Sequence, residues 1–247
     1  MVRPMIAIDK QPQKDISALA VWLVCLALYV VFMYFAFTSP NVLKGELGLL
    51  ENTQVVFLVI ALPLAVWMAV RNKEKWLRWW LILISVGLFY LLTEETSWGQ
   101  HYFGWDMGGF FAGFNDQGEN NFHNTDAWLD QKPRAVLLLG MILGTIVHPL
   151  VKRFRNGRGL FDNPWWFAPT LACLGPVVFS QIGALPKRID AFNLAFSAQA
   201  FTGGYRSSEM EEVYMYVFFV AYLLSLHYRL KLHRAAASAP TQKNIHG

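Results

Sequence analysis

The chain has 247 residues, 55% of them hydrophobic and only 15% charged, with a formal net charge of +4. A soluble domain carries about 25% charged residues. The deficit here is concentrated in stretches of about 20 residues, each long enough to cross a hydrocarbon core of roughly 30 Å. This pattern excludes a soluble enzyme, a disordered chain and a nucleic-acid-binding domain, and it makes the net charge a matter of membrane topology.

Residues 1–15 are polar and read as a cytoplasmic tail. The first apolar run, residues 16–37, is too long for the 7–15-residue core of a signal peptide and reads as a spanning helix. The second span is predicted over residues 49–70, with Pro63 as a kink, and the third over 76–95. A fourth follows Pro133, over 135–151. The fifth, over 165–185, is interrupted by Pro169 and Pro176, and the sixth runs over 211–230. Residues 231–247 read as a disordered cytoplasmic tail. The expectation is an all-α polytopic bundle of about six transmembrane helices, forming a single domain over residues 16–230.

The basic residues set the orientation. Fifteen of the 21 Lys and Arg residues fall in the N-terminal tail, the C-terminal tail, and the connections after spans two (Arg71, Lys73, Lys75, Arg78) and four (Lys152, Arg153, Arg155, Arg158). The positive-inside rule then places both termini in the cytoplasm. Thirteen of the 17 acids fall on the other side. Both long connections are also there, residues 97–133 and 186–210, rich in aromatic residues and Gly. They are expected to lie on, or dip into, the outer interface as amphipathic or re-entrant segments.

Four groups of residues on that side carry chemistry. Glu94 and Glu95 close the third span and open the run Glu94-Glu95-Thr96-Ser97-Trp98-Gly99-Gln100. A carboxylate in a span costs about 2.5–3.5 kcal/mol at the bilayer centre, less near the interface. The negative end of the helix dipole disfavours these acids further. A metal, a basic partner such as Arg134 or Arg206, or protonation would compensate; water at the interface is the plain alternative. In Gln117-Gly118-Glu119-Asn120-Asn121-Phe122-His123-Asn124, a helical turn would place Glu119 and His123 on one face, as two ligands of one metal ion. A solvated loop explains the same residues. Ser208-Glu209-Met210-Glu211-Glu212 opens the sixth span. Ser208 with Glu211 fits a capping box, whereas Glu212 has no capping role. Glu51 lies at the outer start of span two, and His101 follows the first run.

Other features read as structural. Cys25 and Cys173 lie in apolar stretches, too far apart for a Cys-x-x-Cys motif, and are expected to be buried. Gly140 and Gly144 form a GxxxG helix-packing face. Trp76, Trp79, Trp80, Trp165 and Trp166 read as interfacial belt residues. His148, His227 and His233 fall on the inner side as interfacial or pairing residues.

The EE-x-SWGQ run at Glu94–Gln100, followed by Gln117-Gly118-Glu119 and His123-Asn124, resembles a family of uncharacterised bacterial inner-membrane proteins. The resemblance covers spans two to four, and Glu51 and the Glu211-Glu212 pair are similar to family positions. The family pattern has Arg after the Gln, where this chain has His101, which argues against His101 as an essential ligand. The resemblance implies a multi-pass inner-membrane protein and brings no named reaction.

Three functions fit these residues. The first is a metal-dependent membrane enzyme acting on a lipid-type substrate, with Zn, Mn or Fe held by Glu95, Glu119 and His123. Glu94 or Glu212 would serve as general base or further ligand, and Glu51, Gln100, Asn124 and Glu211 would complete the surroundings. The second is a non-catalytic subunit or assembly factor, its acids pairing with a membrane-complex partner or a second copy. The third is an ion or proton transporter, weakened by the lack of ionisable residues midway along the spans.

Overall fold

The computed structural model describes residues 14–45, 47–105, 127–160, 165–191 and 205–238. Every regular element among them is helical. The first, α1 (Ala18–Thr38), is capped by Ser17, whose hydroxyl accepts the Ala20 N–H. Then come α2 (Leu49–Arg71), containing Pro63, and α3 (Lys75–Glu95). The Glu74 carboxylate caps α3 by accepting the N–H groups of Trp76 and Leu77, an acid where the helix dipole favours one. A tight turn leads into the short α4 (Gln100–Phe103). Helix α5 (Ala127–Ile142) runs through a π-helical turn, Leu143–Val147, into α6 (His148–Phe154). A 3₁₀ turn, Leu171–Cys173, precedes α7 (Leu174–Ala191), and α8 (Ser207–Ser238) is the longest helix described.

Five helical segments are long and apolar enough to cross a membrane: α1, α2, α3, Arg134–Phe154 and α8. The protein is an all-α membrane bundle. Helix α7 stands apart from these five because its last turns carry Lys187, Arg188 and Asp190. Its two ends are nevertheless tied to α8 at two well-separated points. Just before α7, the Thr170 hydroxyl meets the Asp15 carboxylate, which also accepts from Ser225 at 3.0 Å. At the far end, Lys187 and Arg188 reach Glu211. From Ser225 to Glu211 is about 21 Å at 1.5 Å per residue. Helix α7 thus runs antiparallel to α8 over that length.

Helix α8 is the central element: most of its apolar part is buried, whereas α1 is largely exposed. Helices α2 and α7 pack directly on it, and α3 packs on α2 with side chains reaching the same core, around Leu58, Ala61, Leu81, Val177, Met215, Leu223 and Leu226. Small residues set the closest approaches, as in membrane bundles generally. A methyl group on Gly183 of α7 would stand 2.7 Å from Met210 Cγ of α8. A methyl group on Gly144 would stand 2.7 Å from the Pro169 ring, whereas one on Gly140 would meet nothing within 4 Å. The GxxxG pair therefore contributes one packing residue. Cys25 and Cys173 are buried free thiols, as expected.

Several boundaries differ from the sequence reading. Residues 165–173 form turns rather than the start of the fifth span, and Pro176 falls in the first turn of α7, where proline is tolerated. Helix α8 begins at Ser207 and continues to Ser238, well into the expected tail. The second outer connection shrinks accordingly, its two ends being helical. Trp76 and Trp79 are exposed as belt residues should be. Trp80 is not a belt residue: its indole N–H donates to Tyr222 at 2.8 Å. Nor is Trp166, which is buried in the core.

The basic end of the bundle is tied by polar contacts. Arg229 is fully buried, donating to Ser225 and to the Trp165 carbonyl while its guanidinium lies over the Trp165 ring. Arg234 donates to Asn72 at 2.6 Å. His148 accepts the Leu160 N–H, and His227 and His233 pack on Trp67 and Trp165. All three histidines are pairing residues, distant in the fold from the acidic end.

Candidate functional site at the acidic end

The ends of α2, α3, α5, α7 and α8 that face away from Arg229 carry the acids. Their positions follow from the turn after α3. Ser97, Trp98 and Gly99 have φ values of 45, 54 and 88°, three consecutive residues in the left-handed region. For Ser and Trp that conformation is strained, at about 1–3 kcal/mol each, and such strain gathers at functional sites. Gly99 alone of the three takes it without strain, and a side chain there would also strike the Trp105 ring. The turn stops α3 directly after Glu95 and folds the chain back. The Trp98 indole N–H then points to Glu94 Oε1 at 3.4 Å, and the Tyr102 hydroxyl donates to Asn52 on α2 at 3.0 Å.

Glu94 is buried, with 4% of its surface exposed. Glu95 accepts from the hydroxyl of Tyr216, one of the buried residues of α8, at 2.5 Å. One helical turn earlier on α8, Glu212 pairs with Arg134 of α5. Glu95, Tyr216, Glu212 and Arg134 thus bring α3, α5 and α8 to one point. The Trp98 indole and the Tyr216 hydroxyl reach the disfavoured Glu pair, and Arg134, one of its two expected basic partners, pairs with Glu212.

Two further groups flank this point. Arg206 holds Glu51 of α2 at 3.2 Å and Glu209 of α8 at 3.2 Å. Gln54, fully buried, donates to the Glu209 carboxylate at 3.0 Å and to the Glu209 carbonyl at 3.1 Å. Beside it, Tyr205 is buried and donates to the Gly183 carbonyl at 3.4 Å. Desolvation, with a smaller contribution from Tyr29, raises the Tyr205 phenol above its ordinary range. On the α7 side, Glu211 takes both Lys187 and Arg188. The capping role expected of Ser208 and Glu211 is not what is found: α8 starts at Ser207, and Glu211 is an ion-pair residue inside it.

The candidate residues therefore divide. Glu95 and Glu212 are brought together, and Glu94 lies next to Glu95 on the same helix end. Glu51 and Glu211 are nearby but held in separate ion pairs. Gln100 opens α4, just past the turn. Glu119, His123 and Asn124 lie outside the described residues. Among the described residues, no three His, Cys, Asp or Glu side chains form a group that could hold a metal ion. Tyr216 and Gln54 were not among the predicted site residues. Tyr216 had a signal: it stands four residues after Glu212, on the same helical face. Gln54 had a weaker one, a polar residue inside an apolar span. No family model, curated protein or solved structure matches this chain.

Proposed function

We propose that the protein is a membrane-embedded enzyme that acts on a lipid-type substrate at the acidic end of the bundle. The observation that carries this reading is the meeting of Glu95, Glu212 and Arg134 around buried Tyr216, on three different helices. Ionisable groups gathered in a desolvated setting are a candidate acid/base centre. In the proposal, Glu94 or Glu212 acts as general base. Tyr216 and Arg134 hold the two carboxylates in place. Zn, Mn or Fe would be held by Glu95 with Glu119 and His123, the last two outside the described residues, and would supply Lewis-acid chemistry. The distribution of basic residues and the resemblance of the EE-x-SWGQ run support a bacterial inner membrane with this end facing outward.

The pairing pattern weighs against a subunit whose acids await a basic partner. Glu51, Glu209, Glu211 and Glu212 already have Arg or Lys partners within the chain. The test is a comparison of lipid extracts and bound metal from cells making wild type, Glu95→Gln or His123→Ala. A lipid product seen only with wild type, together with near-stoichiometric Zn, Mn or Fe lost in both variants, is the expected result. Identical lipid profiles and metal-free, folded wild type after metal supplementation would overturn the reading.

A further inference from the structure

Helices α5 and α7 do not close against each other along their whole length. Between them lies a groove of about 310 Å³, walled by Ile142 and Ile146 on one side and by Val178, Gln181, Ile182 and Leu185 on the other. All but Gln181 are apolar, and Gln181 turns its amide N–H to Ser180 at 3.1 Å. The groove opens sideways: Ile182 and Leu185 are 37% and 49% exposed. Along α7, the lining from Val178 to Leu185 covers roughly 10 Å at 1.5 Å per residue, most of one leaflet of a core roughly 30 Å thick.

The groove ends under positive charge. Arg188 stands three residues beyond Leu185, on the same face of α7, and Lys187 adjoins it. Both approach the single carboxylate of Glu211, whose side chain is 3% exposed, while theirs remain 38% (Lys187) and 43% (Arg188) exposed. Two cations thus share one buried acid at the end of the groove. Asp190 stands three residues beyond Lys187, on the same side of α7, and adds a second acid to this helix end. Arg134, at the head of the α5 side, is matched by Glu212.

We infer that this groove binds an anionic phospholipid, one acyl chain lying between α5 and α7 and the headgroup phosphate on Arg188 and Lys187. An apolar slot at leaflet depth takes a chain, and guanidinium beside ammonium takes a phosphate. The inference rests on the groove and its charged rim rather than on the acidic centre, and it holds whether or not that centre turns lipid over.

Native mass spectrometry of the full chain in detergent tests it by binding alone. The probes are phosphatidylglycerol, phosphatidylethanolamine with the same chains, and undecaprenyl phosphate. Wild type is expected to prefer phosphatidylglycerol to phosphatidylethanolamine by about tenfold, the scale of one charge-assisted contact. Arg188→Gln should bring the two lipids close to parity. Ile182→Trp should fill the groove and weaken both, whereas Leu83→Trp, on an exposed face of α3, should weaken neither. If Ile182→Trp does not fold, Val178→Phe replaces it. Equal phosphatidylglycerol binding by wild type and the groove-filling variant would overturn the inference. So would the lack of a headgroup preference in wild type, or displacement of phosphatidylglycerol by equimolar undecaprenyl phosphate. Binding without any lipid turnover in cells would leave the inference standing and the enzyme reading fallen.

Discussion

The hydroxyl of Tyr216 on α8 donates to Glu95 on α3 at 2.5 Å, joining residues 121 positions apart at the acidic end of the bundle. A carboxylate at a helix C-terminus lacks the help of the helix dipole. A buried hydroxyl that cannot hydrogen-bond costs free energy of its own. Each group answers the other's need, and the bond ties the end of α3 to the central helix.

Tyr216→Phe keeps the ring and deletes the donor. It should lower stability by about 1.5–3 kcal/mol, the usual worth of a hydrogen bond to a charged group. Glu95→Gln keeps an acceptor for the hydroxyl and should cost less. Unfolding of the two variants in detergent, beside wild type, checks the order. A Phe variant as stable as wild type would show that the bond contributes nothing.

The two glycines of the GxxxG pair should respond oppositely to alanine. At Gly144 the new methyl group meets the rigid Pro169 ring at 2.7 Å, and neither side can yield cheaply. Gly144→Ala should destabilise by about 1–3 kcal/mol through overpacking. Gly140 has open space, so Gly140→Ala should be neutral or stabilising by up to about 1 kcal/mol through helix propensity. Thermal unfolding of the two variants, side by side, separates a packing glycine from a bystander.

Tyr205 makes stability sensitive to alkali. Its folded pKa lies above the unfolded value of 10.0. The folded state therefore binds more protons at alkaline pH, and stability falls as pH rises through and above 10. Below that range both states are protonated and Tyr205 has no effect on the slope. Tyr205→Phe should flatten the fall in melting temperature above pH 10 and leave the curve near pH 7 parallel to wild type. An unchanged alkaline slope would assign the sensitivity to other groups.

Run length and charge made the bundle legible in the sequence. An apolar run of 20 residues has few alternatives in a chain this poor in charge, and the acids and bases separate to opposite ends as the structure requires. The start of α7 was not legible, because residues 165–172 are nearly as apolar as a helix. They pack as turns against α8, and hydropathy does not distinguish the two. The role of Glu211 was hidden because its partners, Lys187 and Arg188, lie on another helix, while the local capping pattern offered a ready explanation. Trp80 and Trp166 misled for a related reason: an interfacial Trp and a core Trp near a helix end look alike in sequence. The meeting of Glu95 and Glu212 was readable only as a shared membrane face. Its geometry depends on how α3 and α8 pack, which no local pattern encodes.

The two arginines expected to serve the acidic end should differ sharply in weight. Arg206 spans Glu51 and Glu209, but its side chain is 53% exposed. Solvent screens such pairs, and Arg206→Gln should cost less than about 1 kcal/mol, with the loss shrinking in high salt. Arg134 and Glu212 are 21% and 11% exposed. Removing one member leaves the other charge inside the bundle, so Arg134→Leu or Glu212→Leu alone should cost about 3 kcal/mol. Replacing both with Leu takes both charges out of the bundle and should cost less than the two single changes together. A double-mutant cycle in detergent should therefore give a coupling energy of at least about 1 kcal/mol. Strict additivity would mean that the pair does not act as a unit, and Arg134 would then have no claim to hold Glu212 in place beside Tyr216.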